Sequence, residues 1–252
     1  MNKKEKIIGI VLSSLLFLCI VFLIIFTSEK SENRLRSGII IQGADVLPGN
    51  EYLKFSLINK GNLNELSLFE IRQRFLPHKY ILNADVEITV DDKVVVHLEE
   101  KSFIATLVSD GKTYLVSDKK DLTEVLENTN TLDLPAISNV RNSPKSRLKE
   151  PVQSELIEAE KIINATKLVN EKLYKELSEI NMREGGEIVL TFSHLSMPIL
   201  FGRKNILDKI VTLNSIENRK DKFSSMLKNS VYLDLRYEKN VFIGYNEVIG
   251  IN

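Results

Sequence analysis

One cysteine, three histidines and no net charge are all that this 252-residue chain offers in reactive or electrostatic extremes. With Cys19 alone, an intrachain disulfide, a cysteine-based zinc site and an iron–sulfur cluster are excluded. His78, His97 and His194 form no H-x-H or H-x-x-x-H pair, so metal-ligand spacing is missing. A G-x-S-x-G elbow, a Walker loop and a complete S-x-x-K partner set are absent too. The acidic pairs Asp91-Asp92 and Glu99-Glu100 sit where a turn and a strand end call for solvated charge, and are read so rather than as general acid and base. The 34 basic and 34 acidic residues balance, which leaves no electrostatic footprint for nucleic acid. The expectation is a chain that is not an enzyme and has no cofactor, no metal and no small-molecule substrate.

What the chain does have is a long apolar run. Ile7 to Thr27 reads IIGIVLSSLLFLCIVFLIIFT, without an ionisable group apart from the Cys19 thiol. As a helix it is about 32 Å long, matching a hydrocarbon slab of about 30 Å. It reads as a single transmembrane helix. No small-x-small cleavage site follows it, and Cys19 lies mid-span as a small apolar filler rather than as a lipid acceptor. Lys3, Lys4 and Lys6 before the span are matched by Lys30, Arg34 and Arg36 after it. The shortness of the head, residues 1–6, and the intervening Glu29 and Glu32 favour a cytoplasmic N-terminus with residues 28–252 on the outer side.

Beyond a polar stalk, residues 28–37, the pattern is α+β. Ile39 to Ile41 reads as a short buried strand, and Glu51 to Asn59 as a short helix. A helix of about three turns follows, with Ser67 and Glu70 as a capping box and Leu68, Ile71, Phe75 and Leu76 at helical spacing. Val86, Ile88 and Val90, then Val94, Val96 and Leu98, alternate about an Asp91-Asp92 turn, with Val95 and His97 outward. This gives β-α-α-β-β over residues 38–106. Ile104 to Leu107 and Thr113 to Val116 continue as strands about Asp110-Gly111, with no flexible joint expected in the sheet. Residues 128–153 read as a connection. From Leu156 to Ile180 one apolar stripe marks a long amphipathic helix ending near Gly185-Gly186. Strands at 187–192 and 198–202, a helix around Asn205 to Leu213, and a final pair at 231–237 and 240–245 complete a mixed β domain, residues 107–245, with a tail at 246–252.

The order of these features resembles the FtsQ/DivIB family of bacterial division proteins. IIIQGA (Ile39 to Ala44) resembles the opening strand and glycine of that family's POTRA module, and Gly61 to Ile88 its G-N-L to A-x-V stretch. EEKSFIATL (Glu99 to Leu107) stands where the family has a charged pair and P-x-A, with Phe103 in place of the proline, and Lys79-Tyr80 stand where proline-tryptophan is common. YLVSD (Tyr114 to Asp118), LPAI (Leu134 to Ile137), FGR (Phe201 to Arg203) and YLDLRY (Tyr232 to Tyr237) follow in family order.

The resemblance implies a POTRA domain over 38–106 and a membrane-anchored, non-enzymatic scaffold of the divisome in the bacterial plasma membrane, found at the septum. It implies FtsB/DivIC-like and FtsL-like bitopic proteins as partners. Partner binding would fall at Arg203, Arg236, Tyr237, Glu238, Lys239, Asn240, Val241, Phe242 and Tyr245, by strand addition at the last sheet edge. In VYLDLRY, Val231, Leu233, Leu235 and Tyr237 are expected on the core face, and Tyr232, Asp234 and Arg236 on the other. Plainer readings stand beside these: Asp234 and Arg236 as a solvating pair, Tyr237 and Tyr245 as ordinary edge aromatics, Lys239-Asn240 as a turn, and Arg203 as a surface cation. A POTRA-bearing protein of secretion or envelope assembly is the alternative function.

Overall fold

The computed structural model describes residues 14–22, 36–109, 111–141, 150–219, 223, 226–227, 229–237 and 240–245. The expected span at 7–27 therefore lies largely outside the described residues. Residues 14–22 form a helix, α1, in which Leu15, Leu16, Phe17 and Leu18 are all exposed. Among the described residues no helix is long and apolar enough to cross a membrane.

The first unit runs β1 (Gly38–Gln42), α2 (Gly49–Ser56), α3 (Leu68–Phe75), β2 (Ile81–Ile88) and β3 (Lys93–Glu100). Its sheet has the order β1-β3-β2, with β1 parallel and β2 antiparallel to β3. The capping box forms as expected: Ser67 accepts the Glu70 N–H, and the Glu70 carboxylate accepts the Ser67 N–H at 2.7 Å. Such a cap stabilises a helix by about 1 kcal/mol. The helix it opens has 8 residues rather than three turns.

Two 8-residue strands, about 27 Å long, outrun helices of about 12 Å. Ile88 and Val90, expected on the inward face, are therefore exposed at the hairpin tip, Val90 lying beyond the end of β2. Val95, expected outward, is buried, because β3 is central and Ile40 and Glu87 flank Val95 from its two neighbours.

The sheet does not run on. β4 (Phe103–Ser109) and β5 (Lys112–Ser117) belong to a second sheet, so the change of sheet falls at Lys101-Ser102 and not at 106/107. That sheet has nine strands in the order β12-β11-β10-β9-β8-β7-β4-β5-β6. The expected connection at 128–153 contains β7 (Ala136–Ser138), which is inserted parallel between β4 and β8 and is short enough to lack periodicity.

The long helix also divides. α4 (Glu150–Val169) stops at Asn170, whose backbone is extended and whose side chain caps α5 (Glu171–Glu176) by accepting from the Lys172 and Leu173 N–H groups. Leu177 and Ile180 then lie on β8 (Leu177–Asn181). Their place in a helical stripe is coincidental, since a buried strand and a buried helix face share short apolar runs. β9 (Val189–Phe192), β10 (Ile199–Leu200), α6 (Ile206–Glu217), β11 (Ser230–Asp234) and β12 (Phe242–Tyr245) complete the order, with β6 at Leu122–Glu124. α4 and α6 pack on this sheet through Leu156, Ile162, Ile163, Ile210 and Leu213, which meet Leu107, Ile137, Ile180, Leu190 and Leu233.

The two units are joined by hydrogen bonds from Asn130 and to Tyr80, around a loop that Glu100 organises. Glu100, read as solvated charge, instead turns inward. Its carboxylate accepts the N–H groups of Asp45, Val46 and Leu47 at 2.8, 2.8 and 3.3 Å and the Tyr52 hydroxyl. The same loop accepts from Asn130 of the second unit, at Val46 O (2.9 Å) and Asp45 O (2.7 Å). The Tyr80 hydroxyl accepts the Leu126 N–H at 2.8 Å, while Leu115, Phe103, Val125, Leu126 and Leu132 pack on the first core.

Replacing Glu100 by alanine strands three backbone donors and a phenol, and is expected to lower stability by about 3 kcal/mol in urea denaturation. Glu99→Ala, at an exposed position, should stay within about 0.5 kcal/mol.

Candidate functional site

An open strand edge presents unpaired N–H and C=O groups, and proteins normally blunt it with charge, brevity or a cover. The four sheet edges, β1, β2, β6 and β12, differ in this respect. β2 carries Asp85 and Glu87, and the Arg72 guanidinium donates to Ala84 O (2.5 Å) and Asn83 Oδ1 (2.9 Å) of that strand. β6 is three residues long and its Glu124 pairs with Lys112 at 2.7 Å. β1 has one exposed large side chain, Ile40. β12 reads FIGY, without charge, and Tyr237, Val241, Phe242 and Tyr245 are all exposed around it.

The β11–β12 hairpin departs from simple alternation in ways that shape this edge. Leu233 and Leu235 are buried as expected. Val231 is exposed because the register shifts between Ser230 and Tyr232, and Tyr237 is exposed because β11 has already ended at Asp234. Tyr232 lies across Gly244, its cross-strand partner: a Cβ there would come within 2.2 Å of the ring. Tyr237 and Phe242 meet edge-on, with ring centroids 5.2 Å apart.

Asp234, expected to face solvent, is only 4% exposed. It accepts the Arg236 N–H at 3.0 Å, while the Arg236 guanidinium spans both its oxygens, with Nε at 2.9 and 3.1 Å and Nη2 at 2.6 Å. This fork, ahead of the opposing effect of desolvation, holds the Asp234 carboxyl below its ordinary range and raises the Arg236 guanidinium above its own. The guanidinium carbon also lies 5.9 Å from the centre of the Tyr237 ring.

Arg203 is no free surface cation either. It donates to Gly186 O (2.7 Å) and Met182 O (3.2 Å), and pairs with Glu155 (3.3 Å) and Glu158. Those two carbonyls bracket a left-handed turn in which Arg183, Glu184 and Gly185 all have positive φ, a strained path that Arg203 pins. The Asp234–Arg236 pair forms as one reading had it, but its burial and the Arg203 network were not visible in the sequence, where buried ion pairs carry no periodic signature.

The structure thus gathers Arg236, Tyr237, Asn240, Val241, Phe242 and Tyr245 on one hairpin, and places Arg203 in the α4 network. Glu238 and Lys239 lie outside the described residues. A cavity of about 370 Å³ opens between this hairpin and α6, walled by Leu235, Tyr237, Asn240 and Val241 on one side and Asn205, Asp208, Lys209 and Thr212 on the other. Lys209 is buried and donates to Phe201 O at 2.7 Å.

The histidines do separate work. His97 meets Glu87 on the surface of the first sheet. His194 lies between Glu176 and Glu217, one on each ring nitrogen, so the two carboxylates stand on opposite sides of the imidazole. Among the described residues no cluster of three His, Cys, Asp or Glu side chains is arranged to hold a metal ion. His78 is buried among Tyr52, Phe55 and Tyr80, and its Nδ1 accepts the Tyr80 N–H at 3.2 Å. Burial, reinforced by Lys79 and Lys101, lowers its pKa to about 4.

No family model matches the chain. A curated protein does, at a distance: 22% identity over 153 residues, covering 60% of this chain and 57% of the relative. It is the cell division protein DivIB of Clostridium tetani. The chain therefore spans a little over half the length of the curated relative it matches.

His78 supplies the pH dependence expected of the fold. A histidine held neutral in the native state binds its proton more readily when unfolded, so its contribution is complete above about pH 6.5 and is lost as pH falls towards about 4. Denaturation midpoints measured across that window should fall for the natural chain, by about 3 kcal/mol in stability at most. His78→Phe, which keeps the ring packing, should flatten this limb.

Proposed function

We propose that this chain is a non-enzymatic, membrane-anchored scaffold of the bacterial division machinery. It captures partner division proteins by adding their extended segments to the open β12 edge. The observation that carries the reading is that uncharged, aromatic-flanked edge, found in a chain with a distant likeness to a DivIB. Strand addition satisfies backbone groups that would otherwise face water, and pockets for alternate side chains supply selectivity.

The anchor in this reading is the apolar run at 7–27. Leu15, Leu16, Phe17 and Leu18 occupy a full helical turn, and their common exposure suits lipid better than a core face. The β-α-α-β-β unit next to it is read as a POTRA module, with the larger sheet carrying the docking edge outside the plasma membrane. The partners are FtsB/DivIC-like and FtsL-like bitopic proteins, met at the septum.

Depleting the protein should turn dividing cells into filaments, visible by microscopy; cells of normal length after depletion would remove the division role. Phe242→Glu places an unpaired charge in the added-strand contact. It should weaken capture of the partner's outer domain by at least about tenfold in a pull-down, with the thermal unfolding midpoint unchanged, because Phe242 is half exposed.

A further inference from the structure

The chain enters the first unit at the tip of the β2–β3 hairpin. Ser37 donates from its backbone N–H to Asp92 O at 2.9 Å and from its hydroxyl to Asp91 O at 3.2 Å. The Arg36 N–H goes to Asn64 Oδ1 at 2.7 Å, and the Arg36 guanidinium donates to Leu63 O (2.7 Å) and Leu66 O (2.5 Å). Residues 36 and 37 are thus fastened to the hairpin turn on one side and to the loop leading into α3 on the other. Only eight residues, 28–35, separate them from Thr27, a reach of at most about 30 Å. In a chain anchored by its run at 7–27, that tip is the part of the first unit held nearest the bilayer.

A turn that meets only water favours Gly, Asn, Asp or Ser at its corners. Here the turn from Thr89 to Asp92, closed by the Asp92 N–H on Thr89 O at 3.0 Å, has Val90 at its first corner. Val90 is 94% exposed, the most exposed large apolar side chain among the described residues. Ile88 beside it is exposed too, as is Phe69 on the first turn of α3, three residues after the Leu66 carbonyl that Arg36 holds. Because the strands outrun the helices, the first core does not reach out to cover this end.

We propose that the β2–β3 tip seats on the outer lipid surface of the membrane that holds the chain, with Val90 and Ile88 entering the headgroup region and Phe69 at the margin of the contact. The occupant is lipid because the short link from the span delivers this end, and no other, to the bilayer. The contact is apolar: the turn sets Asp91 and Asp92 against Lys93, so it offers no basic patch to anionic headgroups, and zwitterionic lipid suffices. Span and tip are two attachments, which fix the tilt of the first unit as well as its place. This inference rests on the membrane-anchored reading and adds a second contact to it.

The test uses the full chain in phosphatidylcholine nanodiscs, labelled with the fluorophore NBD. The natural chain carries the label on Cys19, its only cysteine. Cys19→Ser chains with Val90→Cys or Glu99→Cys carry it at the tip or near the opposite end of β3, and thermal unfolding checks that each is folded. Lipid with a shallow nitroxide should quench the position-90 label at least about threefold more than the position-99 label, and iodide should reach it at least about threefold less, as for a group about 5–10 Å into the interface. Adding Ile88→Asp to the Val90→Cys chain should remove at least about half of that difference. A Cys19 label quenched by deep nitroxide lipid, together with a position-90 label as open to iodide as position 99, would overturn this inference and leave the anchor standing. A position-90 label shielded from iodide but untouched by nitroxide lipid would give the tip to a protein contact and overturn it equally. A Cys19 label that deep nitroxide lipid does not quench would remove the anchored reading and this inference with it.

Discussion

A sheet nine strands wide ends in two edge strands beyond which no described strand lies. The treatment of those edges decides what such a molecule can do. At one end the edge is cut to the three residues of β6, whose Glu124 pairs with Lys112; at the other, β12 has no described strand beyond it and carries exposed aromatics. The core under both ends is continuous, so the asymmetry lies in the edges and not in the packing. That uncharged edge is the feature from which the proposed function grows.

Inward-turned carboxylates hold turns and joints elsewhere in the fold and, at Asp234, beside that edge. Glu100 gathers three consecutive N–H groups and a phenol, Asp234 holds a guanidinium across both oxygens, and Glu155, 5% exposed, accepts the Arg141 N–H at 2.6 Å while pairing with Arg203. Each is a charge that would be costly to bury alone and is stabilising once its donors are in place. The loop that Glu100 organises is the one that Asn130 grips from the second unit, so a single acceptor serves both the local turn and the joint.

Much of the first unit was legible because its signals are local. The Ser67/Glu70 box, the Asp91-Asp92 turn and the alternation of β2 and β3 each need only a few neighbouring residues. The second unit hid where length failed: β7 has three residues, too few for any period, and Leu177 and Ile180 fit a helical stripe and a strand equally well. Of the candidate site, the strand pair from 231 to 245 was readable, as were the inward Leu233 and Leu235. The engagement of Arg203 depends on partners far away in sequence, and the Asp234–Arg236 pair could be read without the burial of its carboxylate. Charge was read as solvated at Glu100 for the same reason, since its donors lie more than fifty residues earlier.

The ring of Tyr232 occupies the space above Gly244, where a methyl group would come within 2.2 Å of it. These two positions therefore cannot drift independently as the sequence diverges. A descendant that acquires a side chain at 244 must shrink residue 232 or let the ring swing outward onto the rim of the bare edge. Covariation between the two columns in a set of diverged chains would record that mutual exclusion, and would trace how far back in the lineage the uncovered strand has been kept.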